Sequence, residues 1–173
     1  MYLFLKKDNI PLILVLLTVI IAVLFSFLLY LSIGYTTYLD TKNLAFDNVS
    51  KDFTFNVDSV KLFERKQHLT INGYIFKQGK NISKVFSYFV LYDEQEGNYL
   101  LLPSKMVVRE DVEKKLTTTK KEKIKNCGIS SKVNINKINR NHTYKIYVLY
   151  QNDDNNVLVY MHKRINGLGE VIK

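Results

Sequence analysis

An antiparallel β-sandwich tethered by one N-terminal membrane-spanning helix is the fold class this sequence predicts, and three observations predict it. From Asn9 through Leu39 no side chain carries a charge, and residues 10–33 are almost continuously apolar. Beyond that run, apolar residues recur with a period of two in short stretches separated by turn-forming residues. Two such stretches, Thr143 to Tyr150 and Asn156 to His162, flank Asn152-Asp153-Asp154-Asn155 and read as a hairpin.

The apolar run IPLILVLLTVIIAVLFSFLLYLSI is interrupted only by Thr18, Ser26 and Ser32. Each of these hydroxyls can bond back to a helix carbonyl, so none blocks burial in lipid. At about 1.5 Å rise per residue the run crosses the roughly 30 Å hydrocarbon core of a bilayer. Pro11 suits a first helical turn, Asp8 or Asn9 can cap it, and Tyr30, Tyr35 and Tyr38 suit the headgroup region at the far end. Lys6 and Lys7 on one side nearly balance Lys42 and Lys51 on the other, but the short leading tail favours a cytoplasmic N-terminus with the rest outside. The run exceeds the apolar core of a cleaved signal, about 7 to 15 residues, which points to an uncleaved anchor. The expected division is a cytoplasmic tail at 1–9, membrane helix at 10–33, juxtamembrane linker at 34–50, extracytoplasmic sandwich at 51–166 and tail at 167–173.

The strands follow in order. Phe53, Phe55 and Val57 alternate with polar residues, as do Leu69, Ile71 and Gly73 in a stretch that continues to Phe76. Val85 to Tyr92 is apolar on both faces, as befits a central strand covered on two sides. Residues 93–98 supply a turn, Tyr99 to Leu102 returns, and Pro103 ends that strand or confines it to an edge. Ile129, Val133 and Ile135 share one phase before the final hairpin. About seven short strands separated by turns indicate a sandwich of immunoglobulin-like type. Arg109 to Asn126 is the exception: it is rich in Lys and Thr, and Val112 and Leu116 fit one helical turn.

The formal charge is +9, and removing Lys6, Lys7 and Asp8 leaves about +8 after the anchor. Much of it gathers at Lys114, Lys115, Lys120, Lys121, Lys123, Lys125 and Lys132, offset locally by Asp111, Glu113 and Glu122. Such a segment beside a bilayer attracts anionic headgroups or polyanionic wall polymers, unless it is simply a solvated loop. An external domain makes nucleic acid a poor partner. Cys127 is the lone cysteine, which excludes an internal disulfide or a cysteine metal cluster. His68, His142 and His162 have no metal-ligand spacing, so neither metal nor cofactor is expected. Arg109 and Asp111, two apart at a turn, suit either ligand recognition or an ion pair that pins the loop. The tyrosines Tyr74, Tyr88, Tyr92, Tyr144, Tyr147 and Tyr150 suit strand packing or a sugar-stacking platform.

Three fragments carry a family resemblance: Ile71-Asn72-Gly73-Tyr74, Arg109-Glu110-Asp111-Val112 and Tyr144-Lys145-Ile146-Tyr147-Val148-Leu149. In order and spacing they resemble a β-sandwich accessory domain found with teichoic acid and capsular polysaccharide glycosyltransferases of Gram-positive bacteria. Tyr74 stands where that family often has Trp, and this chain carries no glycosyltransferase domain. The resemblance implies a non-catalytic module associated with surface-polymer chemistry and names no ligand.

The sequence therefore predicts a single-pass membrane protein whose outer domain is a non-enzymatic binding or scaffolding module. It contacts lipid through residues 10–33 and, outside, anionic wall polymer or envelope membrane proteins through the Lys segment, Arg109 and Asp111. Two other readings compete. The order of His68, Cys127 and Arg140 resembles a sortase, in which a thiolate attacks while Arg stabilises an oxyanion. Here Cys127 lies in Lys-Asn-Cys-Gly rather than after that family's Thr-Leu-x-Thr strand. The other is an assembly subunit that pairs through a sheet edge; oligomeric state is open at this level.

Overall fold

The computed structural model describes residues 10–32, 36–47, 52–63, 67–77, 85–116, 126–152 and 155–172. The chain divides into two units, residues 1–34 and 35–173.

The first unit contains one helix, α1 (Ile10–Ser32), of 23 residues. Thr18 Oγ1 donates to the Val15 carbonyl at 2.7 Å, so its hydroxyl is satisfied inside the helix. The side chains of residues 14–28 are described and all are exposed, leaving a helix with no polar face. Among the described residues, however, no helix is long and apolar enough to cross a membrane, so the expected membrane-spanning helix is not borne out there.

The second unit is a two-sheet β-sandwich. One sheet is built from β3 (Phe53–Phe63), β4 (His68–Lys77), β8 (Gly128–Asn134) and β7 (Ser104–Val107), in that order. The other runs β1 (Thr37–Tyr38), β6 (Tyr99–Leu101), β5 (Val85–Asp93), β9 (Thr143–Asn152), β10 (Asn155–Asn166) and β11 (Val171–Ile172). In this second sheet β2 (Ala45–Asp47) also pairs with β10, in parallel, beside Val157 to Val159. A short helix, α2 (Glu110–Leu116), follows β7, and a single 3₁₀ turn covers Ile135–Lys137.

The period-two pattern places the core where the sequence predicts. Leu69, Ile71 and Ile75 of β4 meet Phe89 and Leu91 of β5 and Ile146 and Val148 of β9, all essentially inaccessible to solvent. Gly73 lets β3 approach β4, since a Cβ there would lie 2.4 Å from the Asn56 carbonyl oxygen. Pro103 marks the point where the chain leaves one sheet for the other. That crossing is fastened by polar bonds: Ser104 Oγ accepts from Phe89 N at 3.0 Å, and Ser131 Oγ donates to the Pro103 carbonyl at 2.8 Å.

The sheets extend beyond the segment 51–166. Residues 36–47, which read as a linker, leave β1 on the β6 edge and reach β2 on β10, so they cross the outer face of the larger sheet. On the way Leu39 and Leu44 pack on a second apolar cluster of Val90, Tyr147, Leu149 and Leu158. Two leucines among Thr, Asp, Asn and Lys make no periodic signal; their partners are supplied by strands far along the chain. The C-terminal residues similarly contribute β11, which returns through Gly169 at a φ of 77°. Residues 153–154 of the expected hairpin turn lie outside the described residues.

This strap predicts a stability effect. Replacing Leu39 and Leu44 by Ser should cost about 1 to 2 kcal/mol each, the value of partly burying a leucine. It should also raise binding of a hydrophobic dye, because Leu149 and Leu158 lose their cover. Urea midpoints and dye fluorescence check this; unchanged values would mean that the strap is not part of the stable fold.

Candidate functional site

Arg109 and Asp111 come together, and a third group joins them. Arg109 Nε and Nη2 donate to the two carboxylate oxygens of Asp111 at 2.8 and 2.7 Å, the bidentate geometry that a guanidinium favours. Arg109 Nη1 donates to Asp58 Oδ2 from the far side of the four-stranded sheet. Asp58 sits at a bulge in β3, where the register shifts between Val57 and Ser59, and its other oxygen accepts from Asn56 Nδ2 at 2.8 Å. The guanidinium lies over the Tyr74 ring, 5.4 Å from its centroid. Gly128 makes room for the stem, because a Cβ there would be 2.6 Å from Arg109 Cγ. The hydrogen bonds from Arg109 hold the Asp111 carboxyl down to about 2. Arg109 thus reaches from the end of β7 past β8 and β4 to β3. With its charge answered twice within the fold, it serves as a clamp that docks α2, whose Val112 is buried, onto the sheet.

Lys114 and Lys115 are exposed on α2, and Lys132 is exposed on β8. Lys120, Lys121, Lys123 and Lys125 lie outside the described residues. His68, Cys127 and Arg140 are not brought together. His68 stands opposite Asn134, whereas Cys127 adjoins Gly128, the partner of Tyr74 at the other end of the β4–β8 ladder. The six-residue offset along β4 corresponds to roughly 20 Å. Cys127 is fully buried, and burial pushes its thiol up to about 11. Arg140 is an exposed residue of the connection before β9. Of the tyrosines, Tyr144 and Tyr150 are core residues, while Tyr88, Tyr92 and Tyr147 line the outer face of the larger sheet.

A site that sequence reasoning missed lies at the end of the sandwich where the β5–β6 turn faces the 134–142 connection. A cleft of about 340 Å³ opens there beside β1. Its floor is a closed hydrogen-bond network. Asp93, 4% exposed, ends β5 and accepts the backbone N–H groups of Gln95 and Glu96 at 2.9 and 3.1 Å on one oxygen. Its other oxygen is 2.7 Å from His142 Nδ1. His142 Nε2 is 2.9 Å from Asn139 Nδ2, while Asn139 Oδ1 accepts Asn141 N–H. With the Asn139 amide oriented this way, Nε2 accepts and the imidazole proton sits on Nδ1, donating to Asp93. Burial alone would raise the Asp93 carboxyl, but the bonds from His142, Glu96 and Gln95 outweigh it and hold it below its ordinary value. Beside them the Tyr144 hydroxyl accepts from Asn139 N–H at 2.9 Å and donates to the Asn139 carbonyl at 3.3 Å. Burial pushes the Tyr144 phenol up to about 12.

The rim differs from the floor. Tyr38, 74% exposed, stands beside the cleft with Glu96, Asn98 and Asn136. Their side chains make no hydrogen bond among the described residues. Lys137 also lines the cleft. Asp93 and His142 are 49 positions apart, so no local pattern relates them. Asp93 reads as an ordinary turn residue until the strand order brings the two loops together.

Comparison with protein-family models, curated proteins and solved structures finds no match to this chain.

Two measurements follow from this geometry. Cys127 in the native chain should react with a thiol reagent at pH 7.5 on the order of a hundredfold more slowly than in denaturant, since both burial and thiol acidity oppose it. Equal rates would place the thiol at the surface. For Asp111, a folded pKa of about 2 lies below the unfolded value of about 3.9. Its contribution to stability is therefore complete above roughly pH 4 and is lost as pH falls towards 2. Arg109→Met removes that contribution, so the stability gap between variant and wild type should narrow between pH 4 and pH 2. A gap that stays constant would show that the ion pair carries none of it.

Proposed function

We propose that this chain is a single-pass membrane protein whose second unit is an immunoglobulin-like, non-enzymatic binding module on the outer face of the membrane. Its partners are envelope polysaccharide or teichoic acid, or the membrane proteins that handle them. The observation that carries the reading is α1: 23 residues with no charge, whose described side chains are all exposed and, apart from Thr18 and Ser26, apolar. In water such a helix is unfavourable, whereas in lipid it needs no partner.

The immunoglobulin-like assignment is supported by connectivity. Leaving aside the short β1, β2 and β11, the remaining strands in chain order take the letters A, B, C, C′, D, E, F and G. The two sheets then read A-B-E-D and C′-C-F-G, which is the pairing of that fold. Tyr144, near the start of the F-position strand, bonds back to the backbone of Asn139, which is the tyrosine corner of such sandwiches. The binding role is supported by the basic segment, of which Lys114 and Lys115 are exposed on α2, and by the sealed position of Cys127. Positive charge at the outer membrane surface favours anionic wall polymer.

Two assays on the full chain test this reading. Protease added to intact cells should remove the sandwich, and the chain in nanodiscs should capture purified teichoic acid at low salt but not at high salt. Lys114→Gln with Lys115→Gln should weaken capture by up to about fivefold per lysine. Protection of the sandwich in intact cells, or failure to capture either polymer or envelope membrane proteins, would overturn it.

A further inference from the structure

We propose that the cleft floored by Asp93 and His142 binds a neutral, hydroxyl-rich ligand, namely a short stretch of saccharide. The proposal rests on the reading of this chain as a binding module but concerns a site separate from its basic segment.

Size comes first. The cleft, about 340 Å³, falls within the range of small-molecule sites. Organisation comes second. Both oxygens of Asp93, both ring nitrogens of His142 and the Tyr144 hydroxyl are used within the fold, so the floor is held in place before any ligand arrives. Such a floor does not collapse or reorganise, which lowers the entropic cost of binding.

The rim then defines the chemistry. Asn98 and Asn136 each present an amide with both donors and an acceptor, and Glu96 adds an acceptor. A hydroxyl is itself both donor and acceptor, so a polyol can satisfy all three groups at once. Tyr38 adds an exposed ring whose electron-rich face attracts the polarised C–H groups on one side of a pyranose.

Other ligand classes fit less well. Asp93 and Glu96 outnumber Lys137, so the cleft carries no excess positive charge to hold an anion. An apolar ligand finds little surface, because Leu100 and Ile138 are 7% and 4% exposed. Among the described residues no three His, Cys, Asp or Glu side chains are grouped to hold a metal ion.

The test uses the full chain in nanodiscs, titrated with neutral tetrasaccharides of glucose, galactose and N-acetylglucosamine and, separately, with inorganic phosphate. Saturation-transfer NMR and calorimetry give the readout. At least one tetrasaccharide should bind and phosphate should not compete with it. Asn98→Ala and Asn136→Ala should each weaken binding about three- to tenfold, the value of one neutral hydrogen bond. Tyr38→Ala should weaken it by about tenfold while Tyr38→Phe retains it, because the ring face and not the hydroxyl makes the contact. Lys105→Gln, an exposed position on β7, should leave it unchanged. All these side chains are on the surface, and an unchanged melting temperature will confirm that each variant folds. Absence of binding by all three tetrasaccharides, competition by phosphate, or indifference to the rim variants would overturn the proposal. If teichoic acid is captured through Lys114 and Lys115 while no neutral saccharide binds, the cleft proposal fails and the module reading stands. Saccharide binding by a chain whose sandwich is protected in intact cells would reverse that outcome.

Discussion

The strict alternation of β9 is the constraint on which the rest of the sandwich depends. Tyr144, Ile146, Val148 and Tyr150 face the space between the sheets, while Tyr147 and Leu149 face outward. β9 is hydrogen-bonded along its length to β5 on one side and β10 on the other. A slip of one residue would exchange the two faces and expose the core set to solvent. Tyr144 guards against that slip at the start of the strand. Its hydroxyl can meet the Asn139 backbone in only one register. The same bond sets the path of the 139–142 connection, and through it the position of His142 against Asp93.

Polar groups fasten the edges of this apolar scaffold where hydrophobic contact cannot. The Arg109 clamp links the end of β7 with β3 across the four-stranded sheet. Glu94 receives Arg164 Nη2 at 2.6 Å and Lys145 Nζ at 3.1 Å, and the bond from Arg164 holds its carboxyl below the ordinary value. Lys77 and Asp52, by contrast, meet at 3.4 Å with Asp52 largely exposed, a pair worth little in water. The buried and multiply bonded groups therefore set loop positions, and solvent-exposed pairs only decorate the surface. The cleft follows from this arrangement. Its floor is a fastening and its rim is what the fastening leaves over.

The larger sheet carries a further apolar layer on its outer face, and here the aromatic residues have a collective role. Tyr92, Tyr99, Tyr147 and Tyr160 contact one another at centroid separations from 4.7 to 6.4 Å. Phe46, from the crossing segment, joins the set 5.9 Å from Tyr99. These tilted and edge-on contacts suit the quadrupole of each ring. They explain how the twelve residues 36–47, read as a linker, gain a defined path over the sheet.

What the sequence determined by itself was everything that repeats locally. The 24-residue apolar run of residues 10–33 specified a helix without a polar side. Leu69-Ile71-Gly73 and Ile129-Val133-Ile135 specified strands and their inward faces, because burying one side of a pleated strand requires period two. Pro103 specified a strand end, since it cannot donate to a ladder. Arg109 and Asp111 were legible as a pair because they are two residues apart. Only the tertiary structure decided what those residues meet. It supplied Asp58 as the second partner of Arg109, and separated His68 from Cys127 along one ladder. It recruited Leu39 and Leu44 to an outer face that strands beyond residue 85 create, and set Asp93 against His142. Those pairings join positions from about 45 to 120 apart in the chain. Sequence spacing carries no trace of such contacts, because they depend on the order in which whole strands are assembled.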